Sequence, residues 1–103
     1  MKVEWTERAE WQRDNIANYI REQFGTKRRD KFVQEVDNTA RMLMHNPNLG
    51  AIDPLFSDRP AAYRSVIING LSKMVYRIDD DTIHIAAFWD TRSEPKAQAA
   101  KTE

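Results

Sequence analysis

Apolar positions recur along this chain in two rhythms, one helical and one alternating. Val3 and Trp5, two apart near the N-terminus, read as a short strand at an edge or in the middle of a later sheet. Ala9, Ile16, Ile20 and Phe24 then form a stripe at helical spacing, with Tyr19 beside it. Thr6 precedes the stripe with a hydroxyl that can cap the first turn, and Glu7 and Glu10 suit the positive end of a helix. Gly25 closes the run. A second helix is predicted to start at Thr26, again a capping hydroxyl, with Phe32, Val36, Ala40 and Leu43 as its apolar stripe and Val33 and Met44 at the sides. Pro47 restricts Asn46 to an extended shape, so this helix stops near His45 or Asn46. Almost no chain separates the two helices, which predicts an antiparallel hairpin.

From Asn46 to Ala62 three prolines, one glycine and several Asp, Ser and Asn residues predict a long ordered loop. Leu49, Ile52, Leu55 and Phe56 would tack it to the core. Beyond it the pattern alternates. Asn69-Gly70 accepts the positive φ angles of a two-residue hairpin turn. That turn sets Ile68 opposite Leu71, Val66 opposite Lys73 and Arg64 opposite Val75, on one face with Arg77. Tyr63, Ser65, Ile67, Met74, Tyr76 and Ile78 point to the other. A second turn lies within Asp79 to Thr82. In the last strand Ile83, Ile85, Ala87 and Trp89 continue one face and His84, Ala86 and Phe88 the other, and a slip of one residue would exchange them. Met74, Tyr76, Ile78, Ile83, Ile85 and Trp89 offer the better surface for the helices, which leaves the mixed face open. The expected fold is α+β: an N-terminal strand, an antiparallel helix hairpin, then a three-stranded antiparallel meander with the helices packed on one face of the sheet.

Length changes this picture little. A chain of 103 residues fits one domain, here residues 1–92, followed by a polar segment, 93–103, with no apolar stripe and the character of a flexible tail. No run is apolar enough to span a membrane, the N-terminus lacks the apolar core of a signal peptide, and the absence of cysteine excludes disulfide and thiol chemistry. Cytoplasm is the expected compartment. The formal net charge is zero, so bulk charge does not indicate a strongly basic nucleic-acid binder. Locally, Lys27 to Lys31 (KRRDK) is a basic cluster that can steer a polyanion, and Asp79, Asp80 and Asp81 form an acidic one.

The candidate chemistry sits on the mixed sheet face. Arg64 can hold a phosphate or carboxylate through paired hydrogen bonds, Lys73 adds a mobile point charge, and Arg77 lies farther along the same strand. Together they fit an RNA backbone or an acidic, apolar segment of a protein partner. Each taken alone is also an ordinary wet cation. A two-residue turn at Asp80-Asp81 would put His84 opposite Arg77, where a neutral imidazole can act as a general base, although no acid is evident to orient it. His45 complements the C-terminal end of the second helix. The two histidines have no metal-ligand spacing, and the three aspartates lack the ligand pattern of a calcium loop, so no metal or other cofactor is expected. Trp11 lies off the first helical stripe, either as a second contact to the loop or sheet or exposed for a partner. Arg13 falls nearer the stripe, where its stem can pack while its head reaches water.

From Val3 to Arg92 the order of these elements resembles the RelE/ParE superfamily of toxins from bacterial type II toxin–antitoxin systems. The resemblance rests on WTERAEWQRDNIANYI in the first helix, NPNLG after the second, and YRSVIINGLSKMVYRIDDDTIHIAAFWDTR at the end. YIREQFG and NPNLG are closer to the ParE branch, while Gln12-Arg13 departs from the Asp-Leu common in helix one. The resemblance implies a toxin that inhibits growth by binding a cellular target such as DNA gyrase. A cognate antitoxin neutralises it by folding over its open surface, in assemblies that extend to higher order. Two alternatives come with it: a ribosome-dependent, metal-independent mRNA endonuclease, and a degenerate member that keeps only antitoxin binding. Arg64 matches the Arg of the strand after the long loop, Lys73 falls where relatives carry Arg before the Val75-Tyr76 pair, and Arg92 matches the basic residue after the last strand. A nuclease would use Arg64, Lys73, His84 and Arg92. The aromatic acid–base residue that several RNA-cleaving relatives carry after the last strand is missing. Binding of target or antitoxin is expected at Arg64, Val66, Lys73, Val75, Arg77, Phe88, Arg92 and Trp11.

Overall fold

The computed structural model describes residues 1–70 and 72–91, so Leu71, Arg92 and the expected 93–103 tail lie outside the described residues. Strand β1 (Lys2–Trp5) leads into helix α1 (Glu7–Phe24) and helix α2 (Thr26–His45). A two-residue strand β2 (Ala51–Ile52) and a short 3-10 helix (Pro54–Phe56) follow, within the segment expected to be a loop. Strands β3 (Tyr63–Ile68), β4 (Ser72–Asp79) and β5 (Thr82–Asp90) complete the fold. The five strands form one sheet in the order β1-β5-β4-β3-β2. β1 runs parallel to β5 and the other pairs are antiparallel. The α+β architecture with the helix hairpin on one face of the sheet is therefore as expected, with β1 at one edge and β2 added at the other.

The hairpin turns at one residue. Gly25 has φ 94° and ψ 171°, a region open almost only to glycine, and it caps the end of α1 and the start of α2 together. Thr26 is thus the first residue of α2 rather than its cap, and no side chain caps that helix. Phe32, Val36 and Leu43 of α2 are buried as the periodicity predicts, with Val33 and Ala40 partly buried. On α1 the buried positions are Ala9, Gln12 and Ala17; Ile16 and Ile20 are half-buried, and Phe24 and Tyr19 face solvent.

Two register features decide which side chain faces what. At the first hairpin Ile68 pairs with Ser72, Val66 with Met74 and Arg64 with Tyr76. Asn69 and Gly70 have φ 58° and 70°, as the turn chemistry requires, but the strands resume pairing one residue later than a two-residue turn would allow. β3 is therefore flipped relative to expectation, since one step of register exchanges the two faces. The second turn does hold two residues, with Asp79 paired to Thr82 and Arg77 opposite His84, as expected.

The second feature is a bulge in β5. Tyr76 pairs with Ile85 but its neighbour Val75 pairs with Ala87, which leaves Ala86 as the extra residue. Before the bulge Ile83 and Ile85 face the helices; after it Phe88 does, not Trp89. The main core thus joins Phe32, Val36 and Leu43 to Ile68, Met74, Tyr76, Ile83, Ile85 and Phe88. A second cluster occupies the other face, where Phe56, Leu55 and Ala61 pack over Tyr63, Val75, Ala87 and Trp89. The face expected to stand open is thus partly roofed by the chain's own loop.

Candidate functional site

The bulge shows how the first helix is fixed to the sheet. The Thr6 hydroxyl accepts from Ala9 N at 3.1 Å and donates to the Ala86 carbonyl at 2.9 Å, while Thr6 N donates to the Ile85 carbonyl at 3.1 Å. The Phe88 amide donates to Oε1 of the buried Gln12 at 2.9 Å. Backbone groups displaced by the bulge are thus satisfied from the first two turns of α1, as buried polar groups must be. Trp5 stacks on Phe88 at 5.4 Å with the rings 2° from parallel, and the Arg13 guanidinium covers Trp5 at 4.7 Å.

The expected cationic pair is split. Arg64 lies on the helix side of the sheet opposite Tyr76, and its Nη1 donates to the Gly50 carbonyl at 2.7 Å. The Gly50 amide donates to the Tyr76 hydroxyl at 2.9 Å, which in turn donates to the Pro47 carbonyl at 2.7 Å. NPNLG is held against the sheet edge by this chain of bonds. Burial raises the Tyr76 pKa, against the smaller opposing effects of the Gly50 amide and the Arg64 charge.

Lys73 lies on the opposite face from Arg64, and the expectation that the two stand side by side is overturned by the register of the first hairpin. Its ammonium donates to Asp53 Oδ2 at 2.8 Å, and only 12% and 6% of the two side chains reach solvent. Asp53 also accepts from Leu55 N at 3.0 Å, starting the 3-10 helix. Burial pushes the Asp53 carboxyl up, but the hydrogen bond and charge of Lys73, the Leu55 amide and Ser65 outweigh it, and the net shift is downward. Lys73 therefore anchors the roof over the sheet.

Val75, Phe88 and Val66 are also held within the fold. Val75 and Phe88 were expected to be available to a partner, but Val75 lies beneath the roof and Phe88 was turned into the core by the bulge. Val66 packs half-buried against the helix-side core. Arg77 lies on the roofed face in a cross-strand row with Tyr63, His84 and Glu4. His84 does have acids nearby: Glu4 Oε2 lies 3.7 Å from Nδ1 and Asp79 Oδ2 lies 3.8 Å from Nε2. Glu4 reaches it through the parallel pairing of β1, which local sequence cannot reveal. Trp11 is 67% exposed on α1. Arg92 lies outside the described residues. Among the described residues no group of three acidic, histidine or cysteine side chains could hold a metal, and no helix is long and apolar enough to cross a membrane.

Two further surfaces lie on the helical side, the second of them around the Lys27 to Lys31 basic cluster noted in the sequence. An apolar groove of about 450 Å³ runs beside Ile16, Tyr19, Ile20 and Phe24 toward Ser72 and Asp90. Phe24 also borders a second groove, of about 660 Å³, lined further by Lys27, Arg28, Asp30, Lys31 and Gln34.

A family model described as "ParE toxin of type II toxin-antitoxin system, parDE" matches residues 3–95. The chain belongs to the ParE toxin family. It is thus the toxin component of a toxin–antitoxin system of the RelE/ParE superfamily. Two solved structures share the ParE-like fold. One is described as the chromosomal ParDE TA system from P. aeruginosa, with TM-score 0.70, 23% identity, 87% of this chain covered and 95% of the other. The other is the YoeB dimer from Staphylococcus aureus, with TM-score 0.57, 22% identity and coverages of 84% and 92%. No curated protein sequence matches.

Proposed function

We propose that this ParE-family toxin arrests growth by binding DNA gyrase, without cutting RNA, and that a cognate antitoxin neutralises it. One observation carries the choice between binding and cleavage. The two cations that an RNA-cleaving site would set on one phosphate lie on opposite faces of the sheet, Arg64 bound to the Gly50 carbonyl and Lys73 to Asp53. A phosphate would have to displace both internal partners and still could not touch both cations. The family match supports the same reading, since it is to ParE toxins over most of the chain.

The test is a supercoiling assay with the purified full chain and gyrase, run beside a translation reaction probed for cuts in messenger RNA. Inhibited supercoiling that is relieved by the antitoxin, with messages intact, is the expected result. Codon-linked cuts on translating ribosomes with supercoiling unaffected would overturn it, and His84, flanked by Glu4 and Asp79, would then be the first residue to examine. Inertness in both assays with retained antitoxin affinity would mark a toxin reduced to its partner contact.

A further inference from the structure

The elbow between α1 and α2 holds a charge pattern that the sheet does not explain. From Arg21 to Lys31 the chain carries five cations and two acids, although its total formal charge is zero. Arg29 is bonded to Asp30 at 2.7 Å. Among the described residues Arg21, Lys27, Arg28 and Lys31 make no ion pair, and all four are exposed. Phe24, the last residue of α1, stands among them with 62% of its surface in water. The Arg28 guanidinium lies 5.9 Å from its ring centroid. Phe24, Lys27, Arg28 and Lys31 line one groove together with Gln34 and Asp30, whose carboxylate is already bonded to Arg29.

We propose that this elbow binds single-stranded nucleic acid, with a base stacked on Phe24 and the backbone phosphates on Lys27, Arg28 and Lys31. An exposed ring beside unpaired cations is the combination that non-sequence-specific strand binding uses, because every nucleotide supplies one flat π-surface and one negative charge. Lys27 and Arg28 stand four and three residues before Lys31 on one helix, so each neighbours Lys31 on the same side. An acidic amphipathic peptide is the competing ligand. It would pair with the same cations but bury aliphatic side chains in the neighbouring groove of Ile16, Tyr19, Ile20 and Phe24 rather than stack a flat ring. The inference does not depend on which cellular target the toxin inhibits.

The experiment is fluorescence anisotropy of labelled single-stranded DNA and RNA oligomers of mixed sequence, titrated with the full chain across a salt series, with polyglutamate as competitor. Three phosphate contacts predict that log K falls against log salt with a slope of about −2, at about 0.7 per phosphate. Lys27→Gln with Lys31→Gln should reduce the slope to about −0.7 by leaving one contact. Phe24→Ala should weaken binding about tenfold with the slope unchanged. These sites are exposed, so circular dichroism should show the variants folded. Binding to either oligomer with this pattern supports the proposal, and the preferred oligomer names the strand. No binding at low salt, or an unchanged slope in the double variant, overturns it. So does Phe24→Ala binding oligomers normally, and so does polyglutamate displacing them as well as unlabelled strand does, which would point to an acidic protein segment instead.

Discussion

Asp53 and Lys73, twenty residues apart in sequence, form a salt bridge at 2.8 Å that is almost closed to water. It joins the start of the 3-10 helix to β4 and so fixes the loop that carries Phe56 over the sheet. Removing one member strands the other as a buried charge, whereas replacing both costs much less. Asp53→Ala is therefore expected to destabilise the fold by about 3 kcal/mol, and Asp53→Ala with Lys73→Met to recover more than half of that. Urea denaturation of the two variants and the parent measures both. Equal losses in the single and double variants would show that the charge pair itself matters little.

The same pair predicts an acid dependence with a definite sign. The folded-state pKa of Asp53 lies below its ordinary value of 3.8, because its hydrogen bonds and the Lys73 charge outweigh the opposing effect of burial. A carboxyl whose pKa is lowered on folding binds more protons when unfolded. Its contribution is present in full above pH 3.8 and fades as pH falls through the lowered folded value. The stability gap between the parent and Asp53→Asn should thus be constant near neutrality and narrow only in acid. A series of urea titrations from neutral pH into acid reads it directly. A gap that narrowed already near neutrality would contradict the assigned shift.

Gly50 and Tyr76 make a second test of the loop. A Cβ built on Gly50 would lie 2.8 Å from the Ser65 carbonyl oxygen and 2.8 Å from Tyr76 Cε1. Neither can move cheaply, since one is sheet backbone and the other is a fully buried ring. Gly50→Ala is expected to cost about 2 kcal/mol through overpacking. Tyr76→Phe keeps the ring but leaves the Gly50 amide and the Pro47 carbonyl without their shared partner, at about 1–3 kcal/mol. Thermal melts should rank both below the parent. If Tyr76→Phe melts like the parent, the hydroxyl bridge contributes nothing to holding NPNLG in place.

Much of this fold was legible because its signals are local. Thr6, Gly25 and Pro47 bound the helices, Phe32, Val36 and Leu43 mark the buried side of α2, and Asn69 and Gly70 take the positive φ angles that their residue types allow. The candidate surface was less legible because it depends on non-local counting. One extra residue before Ser72 turned Arg64 away from Lys73, and one extra residue at Ala86 exchanged Phe88 for Trp89. Neither has a local signature, since alternation reads equally well in both registers. Asp53 and Glu4 were missed for a related reason. Each meets its cationic or histidine neighbour only after distant strands have paired. Phe24 continues the spacing of Ile16 and Ile20 yet is exposed, because helical period reports a face and not how far the core extends beneath it.

Gln12 shows what holds that bulge in place. Its Oε1 accepts the Phe88 amide at 2.9 Å, inside the core and next to the Trp5–Phe88 stack. A backbone N–H buried without an acceptor costs about 1–3 kcal/mol, and water has little access to this one. Gln12→Leu keeps a similar bulk but removes the acceptor, so the Phe88 amide must either stay unsatisfied or draw the bulge out of shape. Loss of stability in that range is expected, together with faster hydrogen exchange at Phe88 than at Tyr76 in the adjacent strand. Gln12→Glu restores an acceptor and should slow exchange at Phe88 again, even if burial of its charge lowers global stability. Two-dimensional NMR exchange on the three proteins separates local from global effects. Unchanged relative protection of Phe88 in Gln12→Leu would mean that the bulge is set by β4 and β5 alone.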